Sequence, residues 1–74
     1  MIYKVTFKDH AVKHHNMTRN VYVKEKDIDY VESREENSDK YIQIYLKRDI
    51  RIVYKGARFE STNRLSHIDS IESI

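Results

Sequence analysis

Cysteine, proline and tryptophan are absent from these 74 residues, and glycine occurs once, at Gly56. Without cysteine there is no disulfide, no zinc–thiolate site and no thiol nucleophile. With one glycine there is no glycine-rich loop to cradle a phosphate, which excludes the Walker and dinucleotide fingerprints. Turns must be made by Asn, Asp and Lys/Arg instead. Long apolar runs are missing too. The start, Ile2-Tyr3-Lys4-Val5-Thr6-Phe7-Lys8, alternates and carries lysines, unlike a secretion signal or a membrane span. The chain is expected to be a complete reading frame of a cytoplasmic protein that makes no use of a membrane. On that view Asn16-Met17-Thr18 matches the glycosylation sequon by chance.

Seventy-four residues suit a single domain, 1–74, near the lower end of what folds unaided. A core of that size supplies only about 3–5 kcal/mol, and with no disulfide to help, self-association is an expected source of stability. What the chain does have is Lys, Ile, Asn, Tyr, Asp and Glu, a usage that fits an AT-rich genome.

Alternation of apolar and polar residues predicts an all-β fold, a single small barrel or sandwich-like sheet; the alternative is α+β. Tyr3, Val5 and Phe7 share one face of a strand over Ile2–Lys8, and Asn20–Lys24 reads as a second strand. The polar stretches Asp9–Thr18 and Ser33–Lys40 read as loops. Ile42, Ile44 and Leu46 face one way in the next run and Tyr41, Gln43 and Tyr45 the other. Ile50, Ile52 and Tyr54 follow in phase across Lys47-Arg48-Asp49, which predicts a central hairpin over 41–54. Lys55-Gly56 then permits a turn or bulge before Ala57–Glu60. In the tail, Leu65, Ile68, Ile71 and Ile74 recur every third residue, the spacing of a short C-terminal helix or, as the alternative, of a turn followed by a short strand.

One phrase is written twice: Asp27-Ile28-Asp29-Tyr30-Val31-Glu32-Ser33 and His67-Ile68-Asp69-Ser70-Ile71-Glu72-Ser73. At that same offset, however, Tyr3, Val5 and Phe7 align with Gln43, Tyr45 and Lys47, one residue out of phase, and such a slip turns every side chain to the other face. A true duplication needs a one-residue adjustment between strand and phrase; the preferred reading is two similar local elements. A turn leading into a short strand is expected for the first copy and the helix for the second.

No catalytic, cofactor-binding or metal-binding residue is assigned. His10, His14 and His15, with Asp9, form the densest group of metal-ligand types, but in a polar loop they read as solvated side chains. Ser66, His67, Asp69, Ser70, Glu72 and Ser73 contain the components of a nucleophile–base pair; an oxyanion hole and a cleft around them are hard to house in so small a chain. Asp27, Asp29, Glu32, Glu35 and Glu36 lack the turn glycine of a calcium loop. The chain is expected not to be an enzyme.

Charge is more informative. Glu25–Asp39 carries seven acidic and two basic residues, Lys47–Arg64 six basic and two acidic. Opposed halves of this kind orient self-association, so a homo-oligomer and a protein partner are the leading expectations. The competing reading is a small nucleic-acid-binding barrel whose surface is Tyr41, Tyr45, Lys47, Arg48, Arg51, Lys55 and Arg58, cations beside aromatics on one hairpin. The acidic stretch beside it opposes phosphate.

In overall style, with a start at Met1, no Cys or Pro, abundant Lys, Ile, Tyr and Asn, and β patterning without an enzymatic motif, the chain resembles small orphan accessory proteins of bacteriophages of Gram-positive bacteria. That resemblance spans the whole chain. It implies an accessory role by binding, in virion or tail assembly or against a host protein, in the host cytoplasm.

Overall fold

The computed structural model describes residues 1–53 and 61–74. The elements run β1 (Ile2–Phe7), α1 (Asp9–His15), β2 (Asn20–Lys24), a 3₁₀ turn (Glu25–Asp27), β3 (Ile28–Glu36), β4 (Asp39–Leu46), β5 (Ile52–Val53), β6 (Ser61–Thr62) and β7 (Arg64–Ser73). Five strands form an antiparallel sheet in the order β2-β1-β7-β4-β3, and β5 pairs with β6 apart from it. The fold is predominantly β, as the alternation predicts. It is not a barrel: among the described residues β2 and β3 are the two edges of an open sheet.

Val5, Phe7, Val23, Ile44, Leu46, Leu65 and Ile68 form one buried cluster on one side of the sheet. Val12 from α1, Met17, Ile50 and Ile52 pack onto it. Burying a side chain such as Phe7 or Ile68 contributes about 1.5–3 kcal/mol, so these few residues carry most of the driving force.

The expected central hairpin 41–54 does not form. Both edges of β4 are already occupied, by β3 on one side and β7 on the other. Past its end the Leu46 N–H donates to the Asn63 carbonyl (2.8 Å) and the Lys47 N–H to the Asp27 carbonyl (2.9 Å). No edge is left for the segment after Lys47-Arg48-Asp49. That segment does turn, with the Ile50 N–H donating to the Lys47 carbonyl (2.9 Å), and then pairs Ile52–Val53 with Ser61–Thr62. The expectations at Tyr54, Lys55-Gly56 and Ala57–Glu60 lie outside the described residues.

The partner of β4 is instead the stretch read as a loop. Ser33–Glu36 completes β3, Asn37-Ser38 makes a two-residue turn, and Glu36 opposes Asp39. Both turn residues have positive φ, 51° and 68°, the geometry whose twist matches a tight hairpin. Charge hid this strand, because its polar residues are exposed rather than unstructured. The other presumed loop contains α1, whose buried Ala11 anchors it and whose end is closed by Asn16 in the left-handed conformation.

The C-terminal helix is likewise overturned: residues 64–73 are strand β7. The every-third-residue spacing comes from two bulges. Opposite β4, Ile42 faces Ile68 and Ile44 faces Leu65, so Ser66 and His67 together oppose Gln43. Opposite β1, Phe7 faces Ile68 and Thr6 faces Ser70, so Asp69 is extra. Each bulge adds one residue and returns the apolar position to the core face after three. Leu65 and Ile68 are both fully buried as a result.

The repeated phrase encodes the second of these bulges twice. In β3, Ile28 faces Leu46 and Tyr30 faces Tyr45, leaving Asp29 extra as Asp69 is in β7. Equivalence continues along both ladders: Val31 faces Ile44 as Ile71 faces Val5, and Ser33 faces Ile42 as Ser73 faces Tyr3. Even the closing bonds correspond, Lys47 N–H to Asp27 carbonyl and Lys8 N–H to His67 carbonyl, each 2.9 Å. Phe7 and Leu46 are thirty-nine positions apart and Ile28 and Ile68 forty, which is the one-residue adjustment that equivalent halves require. The likeness ends where Leu65, fully buried, corresponds in position to Glu25 in the 3₁₀ turn. A charged Glu-Lys-Asp turn cannot extend the strand into the core, so β3 stays an edge.

Candidate functional site: the polar aromatic face

Because side chains alternate, the residues between the core positions define the other side of the sheet. On β3, Tyr30, Glu32 and Arg34 stand opposite Tyr45, Gln43 and Tyr41 of β4. The bulge in β7 turns Ser66 and His67 toward the same surface, where they meet Gln43 and Tyr41.

Two aromatic stacks organise this face. Tyr30 lies on Tyr45 with centroids 4.4 Å apart and planes 15° from parallel. Tyr41 lies on His67 at 4.5 Å and 13°. Between them the Gln43 amide nitrogen is 3.0 Å from Ser66 Oγ, and its oxygen is 2.8 Å from the Tyr45 hydroxyl. That hydroxyl also lies 3.0 Å from Glu32 Oε1, so its single proton is shared between the amide oxygen and the carboxylate. Gln43 is 6% exposed, and no buried side-chain polar atom among the described residues lacks a partner.

The same contacts set the proton affinities. The bond to Glu32, then burial and the Glu32 charge, push the Tyr45 phenol above its ordinary 10.0. Hydrogen bonding with Tyr41, then the charge of Glu32, makes the Arg34 guanidinium still harder to deprotonate. At the far edge of the face Lys8 Nζ is 3.7 Å from both Asp39 and Asp69, and His10 Nε2 is 4.0 Å from Asp39. The His10 ring meets His67 edge-on at 5.7 Å. His67 itself has φ 57°, a left-handed conformation unusual for a residue with a Cβ.

Of the residues the sequence singled out, Tyr41 and Tyr45 belong to this face, but Tyr41 is 8% exposed beneath His67. Lys47, Arg48 and Arg51 lie past the end of β4, and the Arg51 guanidinium donates to the carbonyls of Arg48 (2.6 Å) and Ile50 (3.0 Å). The cations are thus not interleaved with the tyrosines. Lys55 and Arg58 lie outside the described residues. His14 and His15 touch each other on α1 at 4.8 Å, while His10 turns to His67. No group of three or more His, Cys, Asp or Glu among the described residues is placed to hold a metal ion. Sequence reading missed Tyr30, Glu32, Arg34, Gln43 and His67 as one surface. The period-two spacing of Tyr30, Glu32 and Arg34 was the available signal.

Among the described residues no helix is long and apolar enough to cross a membrane. No protein-family model, no curated protein and no solved structure matches the chain.

Proposed function

We propose that this chain is a non-enzymatic binding protein that acts through protein–protein contacts, with the polar aromatic face as its recognition surface. The observation that carries this is the tyrosine and arginine platform held in place before any partner arrives. Tyr30 is 50% exposed yet stacked on Tyr45, whose hydroxyl is tied to Glu32 and Gln43, and Arg34 Nη1 lies 3.7 Å from Glu32 Oε1. Tyrosine and arginine dominate binding hot spots, and side chains already fixed lose little entropy on association. The Ser66 hydroxyl is engaged with Gln43 rather than with His67, which supports a binding role over nucleophilic catalysis. Glu32, Glu36, Asp39 and Asp69 lie on or beside the face, a charge balance suited to a protein and unfavourable to phosphate. The setting that fits is the accessory role implied by the resemblance to small phage proteins, in assembly or against a host protein.

A photo-crosslinking residue placed at Tyr30 in the producing cell tests this. The expected product is one defined protein adduct, insensitive to nuclease, that falls more than about tenfold when Arg34 is replaced by Ala. Adducts that vanish on nuclease treatment would return the nucleic-acid reading, and adducts indifferent to Arg34→Ala would overturn the assignment of this face.

A further inference from the structure

Among the described residues the outer edge of β2 is open. The Phe7 N–H donates to the Arg19 carbonyl (2.9 Å) and the Glu25 N–H to the Met1 carbonyl (3.0 Å). Hydrogen-bonded pairs alternate along an antiparallel ladder. Arg19, Val21, Val23 and Glu25 therefore turn their amides toward β1, and Asn20, Tyr22 and Lys24 turn theirs to the open edge. Among the described residues β2 has no neighbour on that side.

We infer that a second copy of this chain occupies the edge, through a two-fold β2–β2 pairing centred on Tyr22. In that register Tyr22 meets the second copy's Tyr22, and Asn20 meets the second copy's Lys24. The outward groups of all three residues then bond to one another, and the two five-stranded sheets become one. Arg19, whose guanidinium already donates to Asp9, comes opposite the second copy's Glu25, so unlike charges also meet across the junction, twice. Val21-Tyr22-Val23 is a β-favouring run with no proline, and Lys24 is the one charged residue of the strand. Tyr22 is 60% exposed with Lys4 opposite it, and on the same face Ile2 and Ile74 are 41% and 68% exposed. Ile2 opposes Lys24, and the Ile74 N–H donates to the Ile2 carbonyl (3.0 Å), so these two apolar residues lie inward of the edge, with Lys24 between Ile2 and the second copy.

The opposite edge does not offer the same pairing. β3 carries Asp29, Glu32, Glu35 and Glu36 against one cation, Arg34, and a two-fold β3 pairing would double that acidity along one line. A β2–β3 junction repeated by translation would be parallel within an antiparallel sheet, and would leave the assembly open-ended. Two-fold pairing through β2 closes. It rests on the reading that the chain acts through protein contacts, and adds where the copies meet.

The chain has no cysteine, so one introduced thiol reports without ambiguity. Opposed Cα atoms in a bonded pair are about 5.5 Å apart, within disulfide reach. The wild-type chain is expected to sediment at twice its 9.0 kDa. Tyr22→Cys should oxidise to a covalent dimer, and Ser33→Cys on β3 should not. Tyr22→Pro deletes an outward N–H and spares the β1–β2 ladder, so it should give a folded monomer. A wild-type chain that stays monomeric at every concentration overturns the inference, as does a Tyr22→Cys chain that fails to cross-link. A monomer whose Tyr30 adduct still depends on Arg34 would sink the dimer and leave the binding reading intact; a β2 dimer whose adduct ignores Arg34 would do the reverse.

Discussion

Tyr41 and His67 stack face to face at 4.5 Å across the β4–β7 bulge, and the histidine reaches that position only with a φ of 57°. The left-handed conformation costs a residue with a Cβ roughly 1–2 kcal/mol, and the cost is steepest for β-branched side chains. His67→Gly should therefore lose the stack yet keep the bulge, with a stability change within about 1 kcal/mol of wild type. His67→Val should lose about 2 kcal/mol or more, since it combines the same loss with a worse backbone. Urea unfolding of the two variants measures the difference. Equal stabilities would mean that the bulge does not fix the backbone at His67.

Leu65 and Ile68 depend on the same bulge for their burial. Both are fully enclosed, so either one truncated to Ala should cost about 2–5 kcal/mol, which is comparable to the whole stability of a core this small. Those variants are expected to be largely unfolded by circular dichroism. Ile68→Val should remain folded with a loss of about 0.5–1.5 kcal/mol. Ile74→Ala, at a position 68% exposed, should change the monomer's stability little. A C-terminal helix would give a different pattern, with Ile71 and Ile74 as sensitive as Leu65.

These three-residue spacings also explain what the sequence could and could not reveal. Strands β1 and β2 were legible because Val5, Phe7 and Val23 alternate with polar or less buried residues. Leu65, Ile68 and Ile71 were legible as core residues but not as a strand, because a bulge and a helical turn space apolar positions alike. The pairing of β4 was not legible at all. Hydrophobic phase shows which face a strand buries and says nothing about which neighbour it takes. Ile50 and Ile52, in phase with Ile44, are as satisfied by packing on the core as they would be by a hairpin. The polar face was hidden for a related reason. Glu32 and Arg34 resemble loop residues until Tyr41 and Gln43 are placed opposite them.

The β3–β4 turn carries an avoidable strain. Asn37 and Ser38 both have positive φ, and serine has no particular tolerance for it. Asn-Gly is the preferred pair for this two-residue turn. Ser38→Gly should stabilise the chain by about 0.5–1 kcal/mol, because the relief of strain outweighs glycine's extra freedom when unfolded. Ser38→Val should destabilise it by a larger amount and leave the core untouched. Chemical denaturation midpoints at constant slope decide the matter; a Ser38→Gly chain less stable than wild type would contradict the turn geometry.

The Tyr45–Glu32 contact predicts an alkaline response with a definite sign. Its hydrogen bond to Glu32, its burial and the Glu32 charge all favour the neutral phenol, so the folded-state pKa lies above the ordinary 10.0 that the unfolded chain keeps. Stability from this group is complete below about pH 10 and declines as pH rises from there through the raised folded value. Glu32→Gln removes the carboxylate and should flatten this decline. Tyr45→Phe should abolish Tyr45's share of it and lower the midpoint near neutral pH, where the buried Gln43 amide oxygen loses a donor. Denaturation midpoints taken between pH 8 and pH 11.5, roughly the range over which a phenol titrates, give the three slopes. Parallel slopes in all three proteins would show that Tyr45 does not titrate against Glu32.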